Sequence, residues 1–84
     1  MLTVKQITTA AKMFELLDTM KRLYAERWPT VAAPYREIIA GAMEGSGDKN
    51  PISAVIPLAQ DMSANGHSPM LLMAVAVEMA DSQP

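Results

Sequence analysis

The chain has 84 residues, of which half are hydrophobic, with a net charge of −2 and no cysteine. This composition excludes disulfides and thiolate metal sites, and it provides no overall positive field to attract nucleic acid. The longest apolar run, 70–77, has eight residues, whereas a membrane-spanning helix needs about 20. The start of the chain lacks a basic stretch followed by an apolar one, so we expect no secretory signal. These features predict one cytoplasmic domain over residues 1–84, with no membrane contact.

The first predicted helix covers about 4–28. Thr3 and Gln6 have the spacing of a capping box, in which each side chain binds a free backbone N–H of the first turn. Apolar side chains at helical spacing share one side of this helix: Ile7, Met13, Phe14, Leu16, Leu17, Met20, Tyr24 and Trp28. We expect Pro29 to end the helix, because the residue before a proline is disfavoured in the α conformation.

The second predicted helix covers about 30–44. Thr30 is the expected N-cap, and Pro34 falls in or near the first turn, where a missing N–H costs little. The spacing i, i+3, i+4, i+7 and i+8 predicts a buried stripe, which contains Tyr35, Ile38, Ile39, Ala42 and Met43. Gly45 is the expected left-handed C-cap.

The third predicted helix covers 51–64, with Asn50 as N-cap and Pro51 at the first helical position. Its apolar stripe contains Ile52, Val55, Ile56, Ala59 and Met62. Pro57 removes one backbone hydrogen bond, so we expect it to kink or split the helix. The pair Asn65-Gly66 is a stop signal.

The fourth predicted helix covers 69–81 and starts at Ser68-Pro69. Apolar side chains surround nearly its whole axis, and a helix that is hydrophobic all round is normally buried. Only a narrow strip, formed by Ala74, Glu78 and Asp81, is compatible with water. The sequence therefore predicts an all-α protein, a compact bundle of three to four short helices whose last helix is central and buried.

The side chains show no pattern for catalysis or metal binding. His67 is the only histidine and lies in a predicted turn, either as an exposed or cap-adjacent imidazole or as a pH-sensitive contact in an interface. A nucleophile formed by Ser63 or Ser68 with His67 is disfavoured, because neighbouring residues on a tight turn rarely converge on one point. We expect no enzyme, no catalytic residue, no metal, no cofactor and no small-molecule substrate.

A helix-turn-helix DNA-binding regulator over residues 50–80 is the alternative that the helix lengths allow. The second helix of such a motif presents basic or amide side chains to base edges and phosphates. Residues 69–80 contain no basic side chain, and Asp61, Glu78 and Asp81 would repel phosphate. Nucleic acid is therefore the less favoured partner.

The large apolar fraction of so short a chain favours a protein–protein interaction module. We expect a self-associating protein, a dimer, that docks on a larger assembly as an adaptor, subunit or inhibitor. Methionine fills cores and also forms adaptable binding surfaces. The methionines of the fourth helix therefore favour this helix as the interface. The interface candidates are Met70, Leu72, Met73 and Val77, with the aromatic residues Tyr24 and Trp28 as a second patch.

Overall fold

A computed structural model of the chain describes residues 10–82, with the side-chain surroundings of 13–82. Every regular element within 10–82 is helical. The elements are α1 (Ala10–Tyr24), a 3-10 turn (Ala25–Arg27), α2 (Trp28–Ser46), α3 (Pro51–Ala64) and α4 (Met70–Asp81). They pack into a body of 32 × 29 × 22 Å, which confirms the predicted small all-α bundle.

Helix α4 lies at the centre of the bundle, in contact with each of α1, α2 and α3. Its six consecutive residues 72–77 are at most 2% exposed, because three helices cover an element that is apolar on all sides. The predicted water-exposed strip is therefore wrong at Ala74, which is fully buried. Asp81 is exposed as predicted, and Glu78 is only partly exposed.

The hydrophobic core combines the inward faces of all four helices. Around α4 it includes Leu16, Leu17 and Met20 from α1, Trp28, Ala32 and Ile39 from α2, and Val55 and Ala59 from α3. Most of the predicted apolar stripes are therefore confirmed. Two members are wrong: Phe14 is 53% exposed and Ile38 is 49% exposed.

The junction between α1 and α2 differs from the prediction. The chain leaves the helix at Ala25, whose φ of +50° is left-handed, and α2 begins at Trp28 rather than at Thr30. Pro29 lies in the first turn of α2, where no helical hydrogen bond is lost, so it starts a helix instead of ending one. Pro34 consequently lies inside α2. The predicted helical residues 4–9, with the Thr3–Gln6 capping box, lie outside the described residues.

The following helix boundaries depend on glycines and on Asn50. Helix α2 continues past Gly45 and ends at Gly47, whose φ of +72° suits a residue without a Cβ. Helix α3 has the predicted bounds, and the Asn50 side chain accepts a hydrogen bond from the Ile52 N–H at 3.0 Å. Helix α3 runs through Pro57 as one element, so the proline does not split it.

The turn between α3 and α4 is a Schellman motif. Gly66 has a φ of +80°, the His67 N–H donates to the Met62 carbonyl at 2.8 Å, and the Gly66 N–H donates to the Ser63 carbonyl at 3.1 Å. This confirms the predicted stop at Asn65-Gly66. Helix α4 begins at Met70, one residue later than predicted, with Ser68 Oγ 3.4 Å from the Met70 nitrogen.

Candidate interaction surface

Glu78 binds three donors from two other helices. Trp28 Nε1 donates to Glu78 Oε2 at 3.0 Å, Lys21 Nζ lies 3.0 Å from the same oxygen, and Arg36 pairs with Oε1. The Glu78 side chain is 16% exposed, whereas those of Lys21 and Arg36 are 48% and 44% exposed. We call these four residues the Glu78 cluster.

The environment of the Glu78 carboxylate changes its proton affinity in two opposing ways. Partial burial penalises the charged form and pushes the pKa of Glu78 upwards, whereas the hydrogen bonds from Arg36, Lys21 and Trp28 and the positive charge of Lys21 pull it down. The favourable contacts outweigh the burial, so the pKa of Glu78 lies below its ordinary value. The carboxylate is therefore ionised at neutral pH.

The Glu78 cluster connects three helices of the bundle. It joins the last turns of the central helix to α1, through Lys21, and to the start and middle of α2, through Trp28 and Arg36. The sequence prediction missed it, because helical projection placed Glu78 on a water-exposed strip. A useful signal was present nonetheless: Glu78 is the only charged residue in 69–80, and a lone charge on a buried helix needs partners.

The predicted interface residues are mostly interior. Leu72, Met73 and Val77 are at most 2% exposed and Trp28 is 5% exposed, so these four side chains pack inside the single chain and offer no surface to a partner. The apolar character of these residues is explained by their place in the core around α4. The structure thus corrects this part of the interface prediction.

The two remaining interface candidates are partly exposed. Met70 and Tyr24 are half-buried and pack against the core cluster. The Tyr24 ring also lies against Trp28, with centroids 6.4 Å apart and planes tilted by 40°. Both residues therefore contribute to the packing of the fold, and next to Tyr24 the side chain of Leu23 is more exposed, at 65%.

Three large apolar side chains are exposed singly. Phe14 is 53% exposed, Leu23 is 65% exposed and Leu58 is 37% exposed. Phe14 and Leu23 are nine positions apart on α1, which places them about 180° apart around the helix, and Leu58 lies on α3. Isolated surface apolar residues are normal in folded proteins, so we do not treat these three as one surface.

Helix α2 carries a continuous uncharged face that the sequence prediction assigned partly to the core. It follows helical spacing for almost the full helix and consists of Val31, Pro34, Tyr35, Ile38, Gly41, Ala42 and Gly45. We call it the α2 apolar face. Ile38 is 49% exposed, Pro34 and both glycines are exposed, and the other members are half-buried.

The two glycines make the α2 apolar face flat at its C-terminal half. Apart from the two neighbouring residues and the backbone of the helix itself, no heavy atom of the described residues lies within 4 Å of the place where a Cβ would be at Gly41 or Gly45. Neither glycine has a positive φ, and glycine within a helix costs about 0.5–1 kcal/mol relative to alanine. Neither backbone conformation nor packing inside the chain therefore requires a glycine at these positions.

Other kinds of site receive no support from residues 10–82. His67 is exposed; among these residues no group of three or more His, Cys, Asp or Glu side chains is arranged to hold a metal ion. The helices of this part of the chain are all too short or too polar to cross a membrane. Comparisons with protein-family models, curated proteins and solved structures gave no match.

Proposed function

We propose that the protein is a small, non-catalytic interaction module that binds another protein chain through the α2 apolar face. The observation that supports this most strongly is the 49% exposure of Ile38 in the middle of a helical face without a charged residue. A bound chain would remove this apolar surface from water, at about 25 cal/mol per Å².

The same proposal includes self-association and a cytoplasmic adaptor, subunit or inhibitor role. The absence of cysteine is compatible with a reducing compartment. The apolar side chains of α4 are buried in the core, so we assign the proposed binding surface to α2 instead of α4. An interaction helix read as i, i+3, i+4 and i+7 anchors is a common recognition mode, and Val31, Pro34, Tyr35 and Ile38 have this spacing.

The alternative of a helix-turn-helix DNA reader has less support. Its recognition helix would be α4, and residues 72–77 of α4 are at most 2% exposed. A recognition helix must lie with an open face in the major groove, and α4 has no such face along these residues.

Site-specific photo-crosslinking tests the proposed surface. A benzophenone amino acid replaces Ile38 on the α2 apolar face, and in a matched control it replaces Ala40, which is also exposed but lies about 160° away around the helix. The proposal expects a protein adduct from position 38, in the native host cells or in the purified protein, and little from position 40. Equal yields at the two positions, or no adduct at 38, would contradict it.

A further inference from the structure

We propose that the chain bound at the α2 apolar face is a second copy of this protein, with the two α2 helices antiparallel about a two-fold axis. This inference rests on the proposed function and names its partner. In the pairing, a residue i of one chain faces residue 72 − i of the other, so that Pro34 meets Ile38 of the second copy on both sides of the axis.

Side-chain size supports this antiparallel register. The face has larger side chains in its N-terminal half and glycines in its C-terminal half. The antiparallel pairing places the larger side chains of each chain against the glycines of the other chain. Val31 meets Gly41 of the second copy, and the stem of Arg27, directly before α2, meets Gly45. The open space at both glycines allows the two helices to approach closely, as small residues do at other helix–helix contacts.

Charge supports the same arrangement. Arg27 and Glu44 are both exposed, and neither has an ion-pair partner among residues 10–82. The antiparallel register brings Arg27 of each chain beside Glu44 of the other, giving two attractive contacts. A parallel pair would instead place Arg27 beside Arg27 and Glu44 beside Glu44, and it would leave the glycines facing each other across a gap.

An isologous contact of this kind closes on itself. Both chains use the same patch and the two-fold axis leaves no free copy of it, so the expected product is a dimer and not a filament. The core and the Glu78 cluster lie outside the α2 apolar face, which means that the fold of each chain is retained on association.

Disulfide trapping between two variants tests the register. The chain has no cysteine, so Val31→Cys and Gly41→Cys each introduce a unique thiol. The two variants, one carrying a size tag, are mixed under mild oxidation. The antiparallel pairing expects the 31–41 cross-linked dimer to exceed both same-variant dimers, since a disulfide needs Cα atoms within about 7 Å and residues 31 of the two chains would be about 15 Å apart along the helices.

The control mixture contains Val31→Cys and Ala40→Cys, and it is expected to yield few cross-links, because position 40 points away from the face. Dominant 31–31 and 41–41 dimers would overturn the antiparallel register and leave self-association standing. Cross-linking no stronger than in the control would overturn the second copy as partner; the proposed function would then depend on the photo-crosslink from position 38 to a different protein.

Charge reversal gives an independent readout if a cysteine variant folds poorly. Arg27→Glu and Glu44→Arg should each weaken the dimer several-fold, because each replaces two attractive contacts by two repulsive ones. The double variant restores opposite charges across an antiparallel pair and should regain the wild-type dissociation constant. In a parallel pair each of these contacts joins like charges before and after the reversal, so single variants that dimerise as strongly as the wild type would overturn the antiparallel register, and so would a double variant that does not regain the wild-type dissociation constant.

Discussion

Removal of the Glu78 carboxylate should destabilise the fold far more than removal of another carboxylate from α4. Glu78→Ala leaves the indole N–H of Trp28, a residue that is 5% exposed, without its acceptor, which costs about 1–3 kcal/mol. The Lys21 and Arg36 side chains are almost half exposed, so each lost ion pair adds only about 0–1 kcal/mol. We expect a total loss of roughly 1–5 kcal/mol.

Urea unfolding followed by far-UV circular dichroism measures this loss, with Asp81→Ala as the matched control. Asp81 is an exposed carboxylate at the end of the same helix, where a negative charge opposes the helix dipole. Its removal should change the free energy of unfolding by less than about 0.5 kcal/mol. If Glu78→Ala and Asp81→Ala differ by no more than that amount, the Glu78 cluster does not hold the helices together.

The same contacts predict a defined pH dependence. Because the pKa of folded Glu78 lies below its ordinary value of 4.5, the unfolded chain takes up the Glu78 proton at a higher pH than the folded chain does. The stabilisation is therefore complete above about pH 4.5 and is lost as the pH falls through the folded pKa. Glu78→Gln keeps the shape without the charge, so the stability gap between wild type and this variant should shrink below pH 4.5. A gap that stays constant or widens in acid would contradict this cause.

The backbone and the core give further predictions for the same unfolding assay. Ala25→Gly should stabilise the protein by about 0.5–1 kcal/mol, because it relieves a left-handed alanine at some cost in unfolded-chain entropy; a loss of stability would refute the strain. Gly66→Ala, at a φ of +80°, should destabilise by about 1 kcal/mol, whereas Gly41→Ala in open helix should stabilise by about 0.5–1 kcal/mol. If both glycine variants changed the free energy of unfolding in the same direction, this difference between the two backbone positions would be contradicted. Met73→Ala should cost about 2–5 kcal/mol, and a near-neutral result would show that Met73 is not in the core.

The sequence predicted the architecture well because local signals agreed with each other. The cap at Asn50, the start at Pro51 and the stop at Asn65-Gly66 together determine α3. The completely apolar α4 had to be buried, and burial requires the other helices to surround it. These inferences depend on periodicity and backbone chemistry, both of which can be read from a single chain.

The errors arise where two physical rules compete or where tertiary packing decides. A proline disfavours the α conformation before it and is also well suited to the first turn of a helix. At Pro29 the second effect prevails, and α2 starts one residue earlier, at Trp28. A helical projection makes Ile38 a member of the apolar stripe but does not show how far the neighbouring helices reach around it. Similarly, it cannot show that Lys21, Trp28 and Arg36 converge on Glu78 from distant positions.

The interface prediction illustrates the same limit. The hydrophobicity of α4 singled it out as an interface helix. The most apolar helix of a small bundle is, however, also the helix that is best suited to form the core. The surface available to a partner consists of the apolar side chains that remain exposed after the core is complete. In this protein that remaining apolar surface is most continuous on the α2 apolar face, whose members carry no charge.

The molar mass in solution shows whether two chains associate through the α2 apolar face. Light scattering across micromolar to millimolar concentrations should show the wild type rising from the 9.1 kDa of one chain towards twice that value. Ile38→Lys should remain at 9.1 kDa, and Ala40→Lys, which adds the same charge on the other side of α2, should follow the wild type. A wild type that stays at the mass of one chain throughout, or an Ile38→Lys variant that dimerises as strongly as Ala40→Lys, would contradict self-association through the α2 apolar face.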